Sequence, residues 1–260
     1  MILDDIFAHK KEEVAAIKRG APLDEIQERI GQVDPPRPFR EALRRPGISL
    51  IAEVKRASPV KGVLFEDMAP VDLAGLYEHA GARAISVLTD ERFFQGSLAD
   101  LTSVRQSVKL PCLRKEFIID EYQIYEARAA RADAILLIVR ILDDAQLRGF
   151  RELAESLGMD ALVEAHDARE IERALAAGTH IVGINNRDLD TFEVDFNKSL
   201  ELRRMAPGGH VLVSESGIKT RDHVRQLEDG GIDAILVGET LVTSNNIAAT
   251  IRELLGDGEG

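Results

Sequence analysis

Short, almost wholly apolar runs recur along this chain and alternate with longer stretches whose apolar residues return every three or four positions. The runs fall at residues 48–54, 84–88, 110–113, 134–139, 161–163, 181–184, 211–213 and 234–237. Several are continuous in Val, Ile and Leu, the pattern of parallel strands covered on both faces. The stretches between them, such as 71–79, 120–131, 143–156 and 168–176, have helical spacing, and Gly81, Gly158 and Gly178 follow soon after three of them, as helix-ending glycines do. Strand and helix in regular alternation predict an α/β protein with parallel strands joined by helical crossovers. Eight such strands predict a closed (β/α)8 barrel, a TIM barrel.

The first 47 residues precede the first strand. Ile6, Ala8, Val14 and Ile17 form an apolar stripe in a charged segment, which predicts an amphipathic helix, expected to close the barrel floor, with a lid or a subunit contact as the alternatives. Asp34-Pro35-Pro36-Arg37-Pro38 is expected to be a rigid linker into the barrel, and Gly256-Asp257-Gly258-Glu259-Gly260 a frayed tail. A length of 260 residues suits a single barrel domain with this N-terminal helical extension.

Composition narrows the function. A 45% hydrophobic content fills an ordinary core, and no apolar run approaches the length of a membrane span. The acidic start, Met1-Ile2-Leu3-Asp4-Asp5, lacks a secretory pattern, and a single Cys112 excludes an internal disulfide framework, so a cytoplasmic setting is expected. A net charge of −12 without a basic stripe argues against nucleic acid and anionic membranes as partners. An anionic substrate must then be drawn by local positive charges.

Barrel enzymes carry their chemistry at the carboxyl ends of the strands. Here the first run ends Ala52-Glu53-Val54-Lys55, the third Leu113-Arg114-Lys115-Glu116-Phe117, the fifth Val163-Glu164, the sixth Ile184-Asn185-Asn186-Arg187 and the seventh Val213-Ser214-Glu215-Ser216-Gly217. Period-two alternation points Glu53 and Lys55 into the barrel. One such Lys or Glu is as easily a structural ion pair as a catalytic group. Lysines, glutamates, an asparagine and an arginine converging on one mouth are a costly way to fill a core, and opposed Lys and Glu in a dry cleft can act as general acid and base.

Ser216-Gly217 after the seventh strand and Gly238-Glu239 after the eighth place backbone amides and a helix start where an anion such as phosphate can be held. Ser58 after the first strand adds a hydroxyl. His166 lacks partners at metal-ligand spacing and is expected to back up a neighbouring active-site group. Cys112 within a strand is expected to be buried and inert, and no glycine-rich dinucleotide fingerprint is present. No metal or cofactor is expected.

The strand-end motifs together resemble those of the indole-3-glycerol phosphate synthase family of tryptophan biosynthesis. Ile51-Ala52-Glu53-Val54-Lys55-Arg56-Ala57-Ser58-Pro59-Val60-Lys61-Gly62 and Phe93-Phe94-Gln95-Gly96-Ser97 carry the likeness first. Leu113 to Asp120, Leu162-Val163-Glu164-Ala165-His166, Gly183 to Leu189 and Ser214-Glu215-Ser216-Gly217-Ile218 continue it in the family's order. Val60, where the family more often has serine, and Glu116, where it usually has aspartate, depart from the pattern. The resemblance implies closure of the indole ring of 1-(2-carboxyphenylamino)-1-deoxyribulose 5-phosphate, with loss of carbon dioxide and water. It implies Lys115 as general acid and Glu164 as base or cation stabiliser, with Lys55 binding the substrate carboxylate or acting as second acid. Glu53 would orient the two lysines. Asn185 and Glu215 would hold substrate hydroxyls or the amine, Arg187 would add positive field near the carboxylate, and Phe117 would contact substrate. Ser58, Ser216, Gly217, Gly238 and Glu239 would surround the phosphate. Association with another enzyme of the same pathway is a further expectation.

Two other functions use the same parts. Lys115 could form a Schiff base with a sugar carbonyl, as in lysine-dependent aldolases. A retired barrel could instead bind a phosphorylated metabolite as a sensor without turning it over.

Overall fold

A computed structural model gives the structure for residues 2–58, 62–63, 68–188, 191 and 193–256, the side chains of residues 2–4 and 58 excepted. The tail from residue 257 lies outside these, as do residues 59–61 of the first-strand motif and residue 189 of the sixth. Eight parallel strands close on themselves: β1 (Ser49–Val54), β2 (Ala84–Leu88), β3 (Cys112–Lys115), β4 (Ala134–Ile138), β5 (Asp160–Ala165), β6 (Ile181–Asn185), β7 (Val211–Glu215) and β8 (Ala234–Val237). The barrel shuts where Ser49 of β1 lies opposite Ala234 of β8 and Ile51 lies opposite Ala84 of β2.

Alternation along each strand splits the core in two. Ile51, Leu113, Leu162, Ile181, Val213 and Leu236 face inward and fill the barrel, while Leu50, Ala52, Val87, Val163 and Ile235 face outward against the surrounding helices. The expected runs find the right strands but miss some of their ends. The third strand is Cys112–Lys115 rather than 110–113, and the fifth and seventh extend to Ala165 and Glu215. The reason is shared: the missed positions include the charged residues that point into the mouth, which apolar continuity does not detect. Helix starts are sharper in the sequence. Asp143 caps the helix Asp144–Ser156 through a reciprocal capping box with Gln146, and Asp120 and Asp167 accept backbone N–H groups at the helices that follow β3 and β5.

The N-terminal extension corrects one expectation. Helices α1 (Ile2–Gly20), α2 (Leu23–Ile30) and α3 (Phe39–Leu43) run before β1. The barrel floor is closed by α3, whose Phe39 and Leu43 are fully buried among the inward residues of the strands, and by the chain leading to it. There Arg37 and Arg40 donate their backbone N–H groups to Asp133 and Asp160, at the starts of β4 and β5. Helix α1 lies at the opposite end. Lys10, 1% exposed, reaches Asp90 beyond β2 at 2.9 Å and Glu116 beyond β3 at 3.0 Å. A buried ammonium must find carboxylates, and those carboxylates sit at the mouth, so charge rather than the apolar stripe decides which end α1 covers.

Candidate active site

Each odd-numbered strand ends with a charged side chain turned into the mouth: Glu53 from β1, Lys115 from β3, Glu164 from β5 and Glu215 from β7. In barrels of this kind alternate strands contribute the four side chains of one interior layer. The layer below is aliphatic, with Ile51, Leu113, Leu162 and Val213, whereas the top layer is one ammonium among three carboxylates. Lys115 Nζ lies 2.9 Å from Glu164 Oε2 and 2.6 Å from Glu215 Oε2. Lys55, one residue past β1, places Nζ 2.6 Å from Glu53 Oε2. Asn185 at the end of β6 donates its amide to Glu164 Oε1 at 3.1 Å, and its own Oδ1 accepts the backbone N–H of Arg187.

Two glycines, Gly183 within β6 and Gly238 immediately after β8, make room for this layer. A Cβ at Gly183 would stand 2.3 Å from Glu215 Oε1, and one at Gly238 would stand 2.3 Å from Glu53 Oε2. Larger residues at either place would drive a carboxylate out of position.

The environments set the two carboxylates beside Lys115 apart. Burial would raise the Glu164 carboxyl, but the Lys115 charge and the His166 ring outweigh it and hold the group well below the usual carboxylate range. Burial lifts Glu215 to about 7, helped by the nearby Glu164 and Glu53 charges and only partly opposed by Lys115. Burial alone would pull the Lys115 ammonium down. The charges of Glu164, Glu215 and Glu53 overcome it, so the lysine is held protonated above its ordinary value. A cluster containing a persistent cation, a persistent carboxylate and a carboxyl that titrates near neutrality is equipped for proton transfer.

These groups line one side of a cavity of 590 Å³, a size suited to a small metabolite. Its apolar wall includes Phe117 after β3, Phe94 after β2, and Ile6 from α1; the Phe94 and Phe117 rings lie 6.2 Å apart between centroids. The same cavity is lined by Ser216, Gly217, Gly238 and Glu239; the chain turns sharply at Ser216 and Gly217, whose φ are 69° and 81°. Asn186 secures this turn by donating to Ser216 O and Ser214 Oγ. Arg187 lines the cavity as well, with Nη2 3.7 Å from Glu239 Oε2. The structure therefore brings Glu53, Lys55, Lys115, Phe117, Glu164, Asn185, Arg187, Glu215, Ser216, Gly217, Gly238 and Glu239 to one cavity. The Ser58 side chain lies outside the described residues.

Among the lining residues that the expected site did not include are Ile6 and Phe94. Ile6 belongs to the N-terminal stripe, whose period showed a buried face without saying at which end of the barrel it lies. Phe94 lies in the Phe93-Phe94-Gln95-Gly96-Ser97 motif, but an aromatic after a strand has no chemical signature of its own. Cys112 is buried, and its thiol is pushed up by burial, as an inert cysteine should be.

A family model described as indole-3-glycerol phosphate synthase matches residues 3–254. The chain belongs to the indole-3-glycerol phosphate synthase family. Curated relatives bear that name across nearly their full length. One, from Chloroherpeton thalassium, is 50% identical over 251 residues, 95% of this chain and 96% of its own. Another, from Desulfotalea psychrophila, is 51% identical over 256 residues, 97% of this chain and 98% of its own. The activity is that of the family, a carbon–carbon lyase of carboxy-lyase type in tryptophan biosynthesis, acting on a phosphorylated small molecule. Solved structures give the same barrel at lower identity. A 3-hexulose-6-phosphate synthase superposes with a TM-score of 0.66 at 18% identity, covering 80% of this chain and 99% of its own. A chain of the tryptophan synthase complex of Pyrococcus furiosus gives 0.61 at 16%, covering 80% and 97%. These two likenesses are of fold alone. No helix among the described residues is long and apolar enough to cross a membrane.

Proposed function

We propose that the charged groups at the barrel mouth divide the proton transfers of indole-ring closure among Lys115, Lys55 and Glu164. The observation that carries this is the position of Lys115, whose ammonium stands between Glu164 and Glu215 in the cavity. In 1-(2-carboxyphenylamino)-1-deoxyribulose 5-phosphate the ring carbon bearing the carboxylate attacks the ketone carbon, and Lys115 protonates the oxygen that would otherwise become an alkoxide. Carbon dioxide then leaves. Until that point Lys55 neutralises the carboxylate; afterwards its ammonium is free to protonate the hydroxyl, which departs as water. Glu164 stabilises the cation so formed and takes up the proton whose loss completes the indole. Two protons are given and one is taken, which balances the loss of the carboxylate as carbon dioxide.

Glu53 holds Lys55, and Asn185 and Glu215 are placed to meet the substrate amine and hydroxyls. Phe94 and Phe117 form the wall for the aromatic ring. Ser216, Gly217, Gly238 and Glu239 surround the phosphate mainly through their backbones, with Ser58 as an added hydroxyl. Arg187, beside Glu239, supplies positive field at this phosphate side rather than at the carboxylate. The aldolase alternative fits less well, since a Schiff-base lysine needs an amine with a lowered pKa and Lys115 is shifted the other way.

The test is indole fluorescence on mixing protein and substrate without added metal or cofactor, in parallel with Lys115→Ala. Signal from the parent protein that falls by about a hundredfold or more in the variant is the expected result for loss of a general acid. Unaltered turnover by Lys115→Ala would overturn the assignment. Borohydride with substrate should trap no covalent adduct.

A further inference from the structure

His166 follows β5 two residues after Glu164, and period-two alternation turns both side chains to the same side. The ring is 7% exposed and lies between two carboxylates. Nδ1 is 3.1 Å from Glu170 Oε2, and that oxygen also accepts the backbone N–H of His166 at 2.8 Å, so Glu170 fixes both the backbone and the ring. Glu170 itself is held in the first turn of the helix Ala168–Ala176. On the other side Nε2 is 3.3 Å from Glu164 Oε1. It is buried and makes no aligned hydrogen bond among the described residues, so this contact is an electrostatic one.

A neutral imidazole carries one N–H and one lone pair. Set between two ionised carboxylates it must turn the lone pair toward one of them, which is repulsive in a buried site. A ring with both nitrogens protonated satisfies both. We propose that His166, held as an imidazolium by Glu170, is a positioning residue that keeps the Glu164 carboxylate charged and aimed into the cavity. This rests on Glu164 being the base of the proposed mechanism, and it goes beyond it by assigning how that base is kept competent.

The two charged groups in contact with the ring favour the cation. Glu164 faces it from β5 and Glu170 from the following helix, while Lys115 on β3 is spent against Glu164 Oε2, the oxygen away from the ring. Burial would lower the imidazole pKa, but the contacts with the two glutamates raise it to about 9. Below that pH the ring stays charged and Glu164 keeps its cationic neighbour. Above it the ring becomes neutral, and kcat should fall while KM changes little, because the contact acts on the base and not on the phosphate side of the cavity.

The experiment combines nitrogen-15 NMR of labelled histidine in the whole protein with pH–rate profiles of the parent, His166→Gln and Glu170→Gln. The His166 signal, identified by its loss in His166→Gln, should titrate well above the ordinary imidazole value and move to lower pH in Glu170→Gln. The alkaline fall in kcat should move with it. His166→Gln should lose about tenfold in kcat and lose that alkaline step, as expected when a hydrogen-bonding charge is removed from beside a reacting group. A His166 ring that titrates at or below its ordinary value, or a Glu170→Gln enzyme whose NMR titration and pH profile both match the parent, would overturn the proposal. The NMR titration does not depend on what Glu164 does in catalysis. A raised ring with normal turnover in Glu164→Gln would instead count against the proposed mechanism.

Discussion

Gly183→Ala is a small change in a rigid place, and the structure says where its force goes. Gly183 lies within β6, and its φ is not among the positive values, so an alanine there meets no backbone penalty. Its methyl would instead lie 2.3 Å from Glu215 Oε1 and 3.2 Å from Leu162 Cδ1. Glu215 must therefore swing away and give up its 2.6 Å contact with Lys115. Overpacking of this kind costs about 1–3 kcal/mol of stability. A hydrogen bond between charged groups is worth about 1.5–3 kcal/mol, so losing the placement of Glu215 should lower kcat/KM by roughly tenfold to a hundredfold. Initial rates of indole fluorescence give the second quantity and a urea midpoint the first. Glu215→Gln combined with Gly183→Ala should be little worse than either alone, because both act on one contact. Parental kcat/KM in a folded Gly183→Ala protein would refute the argument that this glycine exists to seat Glu215.

Lys10→Met should cost about 3–5 kcal/mol, since it removes the ammonium from beside Asp90 and Glu116 while leaving both carboxylates buried. Chemical denaturation checks this, and stability equal to the parent would mean that α1 docks without its ion cluster. Gly149→Ala, in the middle of the helix Asp144–Ser156 with nothing within 4 Å of the added methyl, should raise stability by about 0.5–1 kcal/mol with turnover unchanged. A loss of stability there would show that helix propensity is overridden locally.

The barrel was legible because its strands are apolar on both faces and its helices are not, so one scan of periodicity separates them. The charged layer was legible for a related reason: Glu53 breaks an apolar run, and Lys115, Glu164 and Glu215 stand within two residues of the end of one, where a barrel carries its chemistry. The pairings among them were not. Strand ends fix which residues converge, but which oxygen meets which ammonium depends on register and on the space left by Gly183 and Gly238, and a glycine within or just after a strand does not announce what it makes room for. The N-terminal helix shows the same limit. Its stripe showed that it packs, but only the carboxylates of Asp90 and Glu116, about eighty and a hundred residues further on, decide the end at which it packs. Sequence separation of that kind leaves no local trace. His166 stood in plain view beside Glu164, yet its partner Glu170 is supplied by the next helix.

Because α1 is synthesised well before the residues that anchor it, the protein has an order of assembly built into it. Lys18 of α1 meets Asp120 across 102 residues, and the Tyr122 hydroxyl donates to Ala21 O across 101. When the helix leaves the ribosome none of these partners exists, nor do Asp90 and Glu116. Its apolar stripe must wait in water until the third strand and the helix after it have followed. The segment that walls the finished mouth is thus a latecomer to its own fold, set in place only once the strand bearing Lys115 has been made.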